Sequence, residues 1–442
     1  MNAELLQKID QEIENAYQAL VQDTFKLIRI NSVQSEPMPN APFGIGPKQV
    51  LDTALEMGKE DGFYTTDYEV GVVSLAMQSG QPDLGIWLHG DVVPVGDGWR
   101  YPAFEGIEVD GCVVGRGATD NKGQMAAIFN LLKIFKKLGV SLNYNPALYV
   151  GSNEETGMED IKAFMTRHTP PRLSLVPDSS FSVCYGGKGG LTLTFRSKKP
   201  LHGLKITAGQ PDSPGRADAD LWGKRFSAET PPRHGAHPDP NGNMITLVMD
   251  QLLGEEQVAK DDISVLQFCK TASLDTNGKE FGIYVHSDTM TALTVFAKSI
   301  AMVDGCLRIT LNIRYPIETT AVRIVERMTQ IAEKYGMELS ETKIGVNPYL
   351  LDPNDPILLM LNDASNAVTG RDDKPYTMGG GTYAHRLPNA YAFGMSGNRV
   401  PEGFPKGHGG AHGKDESVGI DRLQRAMKIY ARALLALNEM EW

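Results

Sequence analysis

Leu84-Gly-Ile-Trp-Leu-His89-Gly90-Asp91 is the stretch on which the reading of this chain turns. An apolar run suited to a buried strand ends in His89, and Asp91 follows at the same parity. In an extended backbone, residues two apart point to one side. A metal-ligating imidazole and a carboxylate that orients it would have that relationship. The motif is weak alone, so its partners must be sought elsewhere in the chain.

Working outward, helical and strand-like patterns alternate over roughly the first 190 residues. Helices are expected over 3–31, 45–61, 123–138 and 159–168, and strands near 71–78, 84–89, 146–151 and 173–177. Such alternation predicts an α/β sheet covered by helices on both faces. The texture changes at Gly186-Gly-Lys-Gly-Gly190. Beyond it come a strand at 191–195, a long polar loop at about 207–243, a helix at 244–253, and strands near 280–285, 290–297 and 306–315. After Pro348 the helical pattern returns, with a helix opened by Pro353-Asn-Asp-Pro356 and a closing helix over 417–439. The expected organisation is a catalytic α/β domain, residues 1–187 and 347–442, interrupted by an inserted α+β domain at 188–346.

The composition limits the function. With 442 residues, 41% hydrophobic and 22% charged, the chain reads as a globular protein of two domains. Its net charge of −11 disfavours nucleic acid and anionic membrane as partners. No run approaches a membrane span, and the N-terminus reads as an amphipathic helix rather than an export signal. The dispersed Cys112, Cys184, Cys269 and Cys306 suit a reducing compartment, so a cytoplasmic location is expected.

Further metal-type residues stand where the first motif predicts them, because functional groups of open α/β sheets gather at the carboxyl ends of strands. Glu154-Glu155 follows Ala147-Leu-Tyr-Val150, and Asp178 follows Leu173-Ser-Leu-Val176. Asp120 lies in the glycine-rich Gly115-Arg-Gly-Ala-Thr-Asp120-Asn-Lys-Gly123, before a helix it could equally cap. His412 stands in Gly407-His-Gly-Gly-Ala-His412 before the last helix, with His408 read as a solvent-exposed loop histidine. Each position alone has an ordinary explanation as a solvated strand end. Together they gather like charges that repel unless a cation neutralises them.

These motifs resemble the zinc-dependent exopeptidase family of glutamate carboxypeptidases, aminoacylases, desuccinylases and PepV-type dipeptidases. The matching stretches are His89-Gly-Asp-Val-Val-Pro-Val-Gly-Asp-Gly-Trp99, Gly115–Gly123, Asn153-Glu-Glu-Thr-Gly157, Pro177-Asp178, Gly379-Gly-Gly-Thr-Tyr-Ala384 and His412-x-x-Asp-Glu416. The first and fifth lean toward the PepV-type branch. The resemblance implies two zinc ions, replaceable by manganese or cobalt, bridged by Asp120. His89 and Asp178 would complete one site, and Glu155 and His412 the other. Asp91 would fix the His89 tautomer, while Glu154 would act as general base on a bridging water. A cis Asp120–Asn121 peptide is also implied.

The family's inserted lid supplies further groups through a His-x-x-x-Pro-x-x-x-x-Asn pattern, which appears here as His234 to Asn243 around Pro238. It implies that His234 supports the oxyanion, although His237 competes for the role, and that Asn243 assists substrate or simply caps the next helix. Arg314 matches the arginine that captures a substrate carboxylate, a task suited to a planar guanidinium. Gly381, Thr382 and His385 would complete substrate binding. One departure stands out: His385 occupies the place of a PepV-type arginine, and Arg386 is next to it. The resemblance thus implies hydrolysis of dipeptides or short peptides with free termini, by a chain favoured as a monomer, with a homodimer the other possibility. Removal of the acyl group from N-acyl amino acids is the alternative, and the ligand residues alone would also suit two-metal phosphoester chemistry.

Overall fold

The computed structural model describes residues 3–210, 213–231, 238–239, 242–395 and 399–442. The chain divides into two compact units, one of Met1–Tyr185, Leu351–Tyr376 and Thr382–Trp442, the other of Gly186–Leu350 and Thr377–Gly381.

The first unit is built on a mixed sheet. Its strands run in the order Tyr64–Asp67, Val72–Ala76, Pro146–Gly151, Leu84–His89, Leu173–Val176, Ala390–Ala392, then the start of Cys184–Gly187. The four strands from Pro146–Gly151 to Ala390–Ala392 are mutually parallel. Every residue of Leu84–His89 and Pro146–Gly151 is buried. Continuous apolar runs of this kind follow when helices cover both faces of a parallel sheet.

Period-two alternation separates the two faces. Ile86, Leu88, Leu148 and Val150 share a core with Met125, Phe129 and Leu132 of the helix Lys122–Lys137. On the opposite face Trp87 stacks on Tyr149 with ring centroids 4.1 Å apart, and both meet Phe164 of the helix Glu159–Arg167 edge-on. The expected helix 3–31 is two helices, Ala3–Asn15 and Tyr17–Ile28. Helical bonding nevertheless spans Ala16, whose N–H reaches Glu12 O at 3.0 Å while its carbonyl accepts from Leu20 N at 2.9 Å.

A small antiparallel sheet, Ser417–Gly419 against Cys112–Val114 against Ile107–Val109, pairs Ser417 with Val114. The segment leaving Val114 and the one entering Ser417 therefore lie at the same end. These segments carry Asp120 and His412.

Among the described residues the second unit holds a seven-stranded antiparallel sheet, in the order Lys224–Glu229, Ser213–Leu221, Leu204–Gln210, Thr294–Val303, Cys306–Tyr315, Gly189–Ser197, Met337–Ile344. Helices Met244–Leu253, Lys260–Leu274 and Ala321–Lys334 share one apolar core with this sheet. The polar loop expected from 207 is, up to Glu229, mostly strand. Ala217, Ala219 and Leu221 are buried between Arg216, Asp218 and Asp220, so half-apolar alternation with small alanines makes a strand that composition disguises as a loop. The strand expected at 280–285 is irregular instead. Gly278 and Gly282 take φ of +73° and +61° there, turning the chain.

Candidate active site

The carboxyl ends of three adjacent parallel strands converge in the first unit. His89 ends one strand, Ser152–Glu155 follows Gly151, and Asp178 follows Val176. The Asp120 and His412 segments arrive from the small sheet. The Asp120–Asn121 peptide is cis.

Asp120 stands between the two imidazoles. Its Oδ1 lies 3.1 Å from His89 Nε2 and its Oδ2 lies 3.0 Å from His412 Nε2. His412 Nε2 is also 3.1 Å from Glu155 Oε1. Potential ligand atoms of His89, Glu154 and Asp178 lie within 4.8 Å of one another, as do those of His89, Asp120 and Glu155. Asp178 Oδ1 accepts a hydrogen bond from Asn121 Nδ2 at 3.1 Å.

The electrostatics are those of anions forced together. Burial pushes the Asp178 carboxyl up to about 7, aided by the Asp120 charge. Burial also raises Glu154, with the Asp178 charge next, and Glu155, with the Asp120 charge next. Burial opposes ionisation of Asp120 as well, but hydrogen bonds from His412 and His89 prevail and hold it below the usual carboxylate range. Burial works against a charged His412 too, yet its bonds to Asp120 and Glu155 lift it to about 11. Glu154 Oε1 is buried with no hydrogen-bonding partner among the described residues. Carboxylate oxygens and two imidazoles facing one another, one oxygen unsatisfied, make a donor set that fits divalent cations.

The supporting shell is more elaborate than the motifs imply. His89 Nδ1 faces the backbone carbonyl of Asp91 at 3.0 Å, with the Asp91 carboxylate 3.5 Å away. That carboxylate accepts from the amides of Glu154 and Glu155, each at 3.1 Å. Arg116, Asp160, Tyr383 and Glu416 also enter this shell, although none stood out as functional in the sequence. Their signals were weak: Asp160 is an acidic residue in a first helical turn, and Arg116, Tyr383 and Glu416 are members of longer motifs whose chemistry rests on other positions.

His408 departs from its expected exposure. It is largely buried, with Nδ1 2.5 Å from Asp415 Oδ2, and Asp415 Oδ1 accepts from the amides of Arg100 and Tyr101. The fully buried Asp415 needs such partners, and the histidine supplies one.

Of the other candidates, Thr382 caps a short turn. Its Oγ1 accepts from Ala384 N at 3.3 Å, and its own N–H reaches His385 Nδ1 at 3.2 Å. Gly381 immediately precedes it, at the end of the second unit's sequence. In that unit, Asn243 caps the helix Met244–Leu253 by accepting from Ile245 N at 2.9 Å, and it donates to Ala297 O at 3.0 Å. Arg314 pairs in register with Gly190 and Thr294, and its buried Nε has no hydrogen-bonding partner among the described residues. His234 and His237 lie outside the described residues.

Residues 86–436 match the peptidase family M20/M25/M40. A Staphylococcus haemolyticus protein named as a dipeptidase is 27% identical, over 95% of this chain and 97% of its own. Human carnosine dipeptidase 1 shares the fold with a TM-score of 0.65 at 16% identity, covering 99% of both chains. An M20 family metallo-carboxypeptidase from Sulfolobus solfataricus does so at 0.62 and 14%, covering 95% of this chain and 99% of its own. With its mixed catalytic sheet and inserted α+β unit, the chain belongs to peptidase family M20/M25/M40, a metal-dependent family, and is a hydrolase of peptide bonds.

Proposed function

We propose that the protein is a dipeptidase, cleaving the amide bond of dipeptides or short peptides with free termini, and that Glu154 is its general base. The observation that carries this reading is the placement of Asp120 between His89 and His412, with the buried, unpartnered Glu154 Oε1 beside the cluster. His89, Asp120 and Asp178 would hold one divalent cation, and Asp120, Glu155 and His412 a second. Zinc suits this donor set, with manganese or cobalt as substitutes. When bound, the cations neutralise the carboxylates and polarise water and the scissile carbonyl.

The chain's own part is proton transfer and positioning. Glu154, made a better base by burial and by its anionic neighbours, takes the proton of the attacking water and passes it to the leaving amine. Asp91 holds the Glu154 and Glu155 amides and the His89 ring. Arg314 is assigned to the substrate carboxylate, His234 to the oxyanion, and Asn243, Gly381, Thr382 and His385 to substrate contacts. Four buried, widely dispersed cysteines fit a cytoplasmic location, and no described helix is long and apolar enough to cross a membrane.

The test compares free dipeptides with N-acetyl and N-succinyl amino acids, with bound metal quantified. Turnover of the acylated substrates alone would replace the dipeptidase reading with the deacylase one.

A further inference from the structure

The loop that presents Glu154 has its backbone amides taken up by two buried carboxylates, only one of which belongs to the family-like motifs. Asp91 accepts from Glu154 N and Glu155 N. Asp160 Oδ2 accepts from the two preceding amides, Ser152 N at 2.7 Å and Asn153 N at 3.0 Å. Four consecutive N–H groups therefore point at two fixed anions. Asp160 is fully buried, and its Oδ1 accepts from Ile161 N at 2.7 Å.

One side chain from a distant part of the same unit completes the arrangement. The Tyr383 hydroxyl, 223 residues away in sequence, donates to Asp160 Oδ2 at 2.6 Å. Tyr383 is 1% exposed, and its ring stands edge-on to His89 with centroids 6.4 Å apart. Gly151 makes room for this pair. A Cβ there would sit 2.1 Å from the Tyr383 oxygen and 2.6 Å from Asp160 Oδ2, closer than atoms approach. A glycine at the strand end, a buried acid and a buried phenol thus form one interlocking unit directly behind the Glu154 turn.

We infer that Tyr383 is a positioning residue for Glu154, acting through Asp160, which clamps the backbone of Ser152 and Asn153 so that the Glu154 carboxylate is held in line with the reacting groups. The inference rests on the reading of Glu154 as base. Removing the hydroxyl takes away one of the three hydrogen bonds that hold Asp160 Oδ2 and loosens the turn while leaving the ring against His89. Displacement of a catalytic group by an ångström can cost about 100-fold in rate. The clamp therefore acts on kcat and leaves metal binding and KM alone.

The experiment measures kcat, KM and bound metal for Tyr383→Phe, in the wild-type and Glu154→Gln backgrounds, on a dipeptide substrate with saturating metal. Tyr383→Phe is expected to keep full metal content and KM within about twofold, and to lose about 10- to 100-fold in kcat. In the Glu154→Gln background the same change should cost less than about twofold, because the group it positions is already disabled. An equal loss in both backgrounds, loss of metal, or wild-type kcat overturns the inference. Asp160→Asn, which keeps a carbonyl oxygen for the amides, should show the same kcat-selective loss, and it decides the matter if Tyr383→Phe does not fold. Full activity of Glu154→Gln alone would overturn the base reading and the inference with it. Inactive Glu154→Gln beside fully active Tyr383→Phe and Asp160→Asn overturns only the inference.

Discussion

Arg116 donates through Nη1 to Glu416 Oε2 at 2.6 Å, and both side chains are almost fully buried. The pair ties together the two segments that bring Asp120 and His412. Glu416 Oε1 accepts from Thr119 N and Asp120 N, each at 3.0 Å, while Arg116 Nη2 reaches the carbonyls of His412 and Pro94. Truncating one partner strands a buried charge, so Arg116→Ala should destabilise the protein by about 3–5 kcal/mol. Glu416→Gln retains an oxygen for the amides and should weaken metal binding about 10-fold, as loss of supporting contacts to ligands does. Thermal unfolding of chelated protein and metal titration separate the two effects. Wild-type metal affinity in Glu416→Gln would remove this pair from the supporting shell.

Glu154→Gln should retain its metal content and lose about 10²- to 10⁴-fold in kcat, the range of a general base. The amide is nearly isosteric with the carboxylate but cannot accept a proton at neutral pH. Metal analysis alongside steady-state kinetics checks it, and near-normal turnover with full metal occupancy would transfer the base role elsewhere.

Removing the metal should make stability fall as pH rises. Asp178 is held at about 7 in the metal-free fold, against about 3.9 in an unfolded chain. Between those values the folded state binds more protons, so its stability declines with increasing pH. His412, raised to about 11 from about 6.5, continues the decline above neutrality. The lowered Asp120 works in the opposite sense, but only below about pH 4. Protons compete with metal for the same ligands. The melting-temperature gap between metal-loaded and chelated protein should therefore widen from pH 5 to pH 8, and a gap that narrows over that range would speak against this ligand set.

Arg314→Ala should raise KM for a dipeptide by about 10- to 100-fold, the worth of a hydrogen bond to a charged group. The same dipeptide with its terminal carboxylate amidated should lose little further on substitution. Lysine should rescue only partly, because it lacks the planar fork. An equal loss on both substrates would place Arg314 in a structural role.

Much of this was legible from the chain alone. Leu84–His89 and Pro146–Gly151 form where strands are expected near 84–89 and 146–151, because buried parallel strands are locally apolar from end to end. Ser213–Leu221 and Lys224–Glu229 were not, because small alanines alternating with charges resemble a polar loop until neighbouring strands supply the pairing.

The sequence by itself showed which residues carry metal-type side chains and that His89, Glu155 and Asp178 stand at or just beyond strand ends, since both properties depend on residue type and short-range periodicity. Tertiary structure alone decided how they face one another. Antiparallel pairing of Ser417 with Val114 brings His412 to Asp120. Asp91 turns its carboxylate to the Glu154 and Glu155 amides. Arg116 meets Glu416 across 300 residues, and Tyr383 meets Asp160 across 223. No local pattern encodes such pairs. A buried charge or hydroxyl must find a partner, and the fold, not the neighbouring sequence, determines which one is within reach.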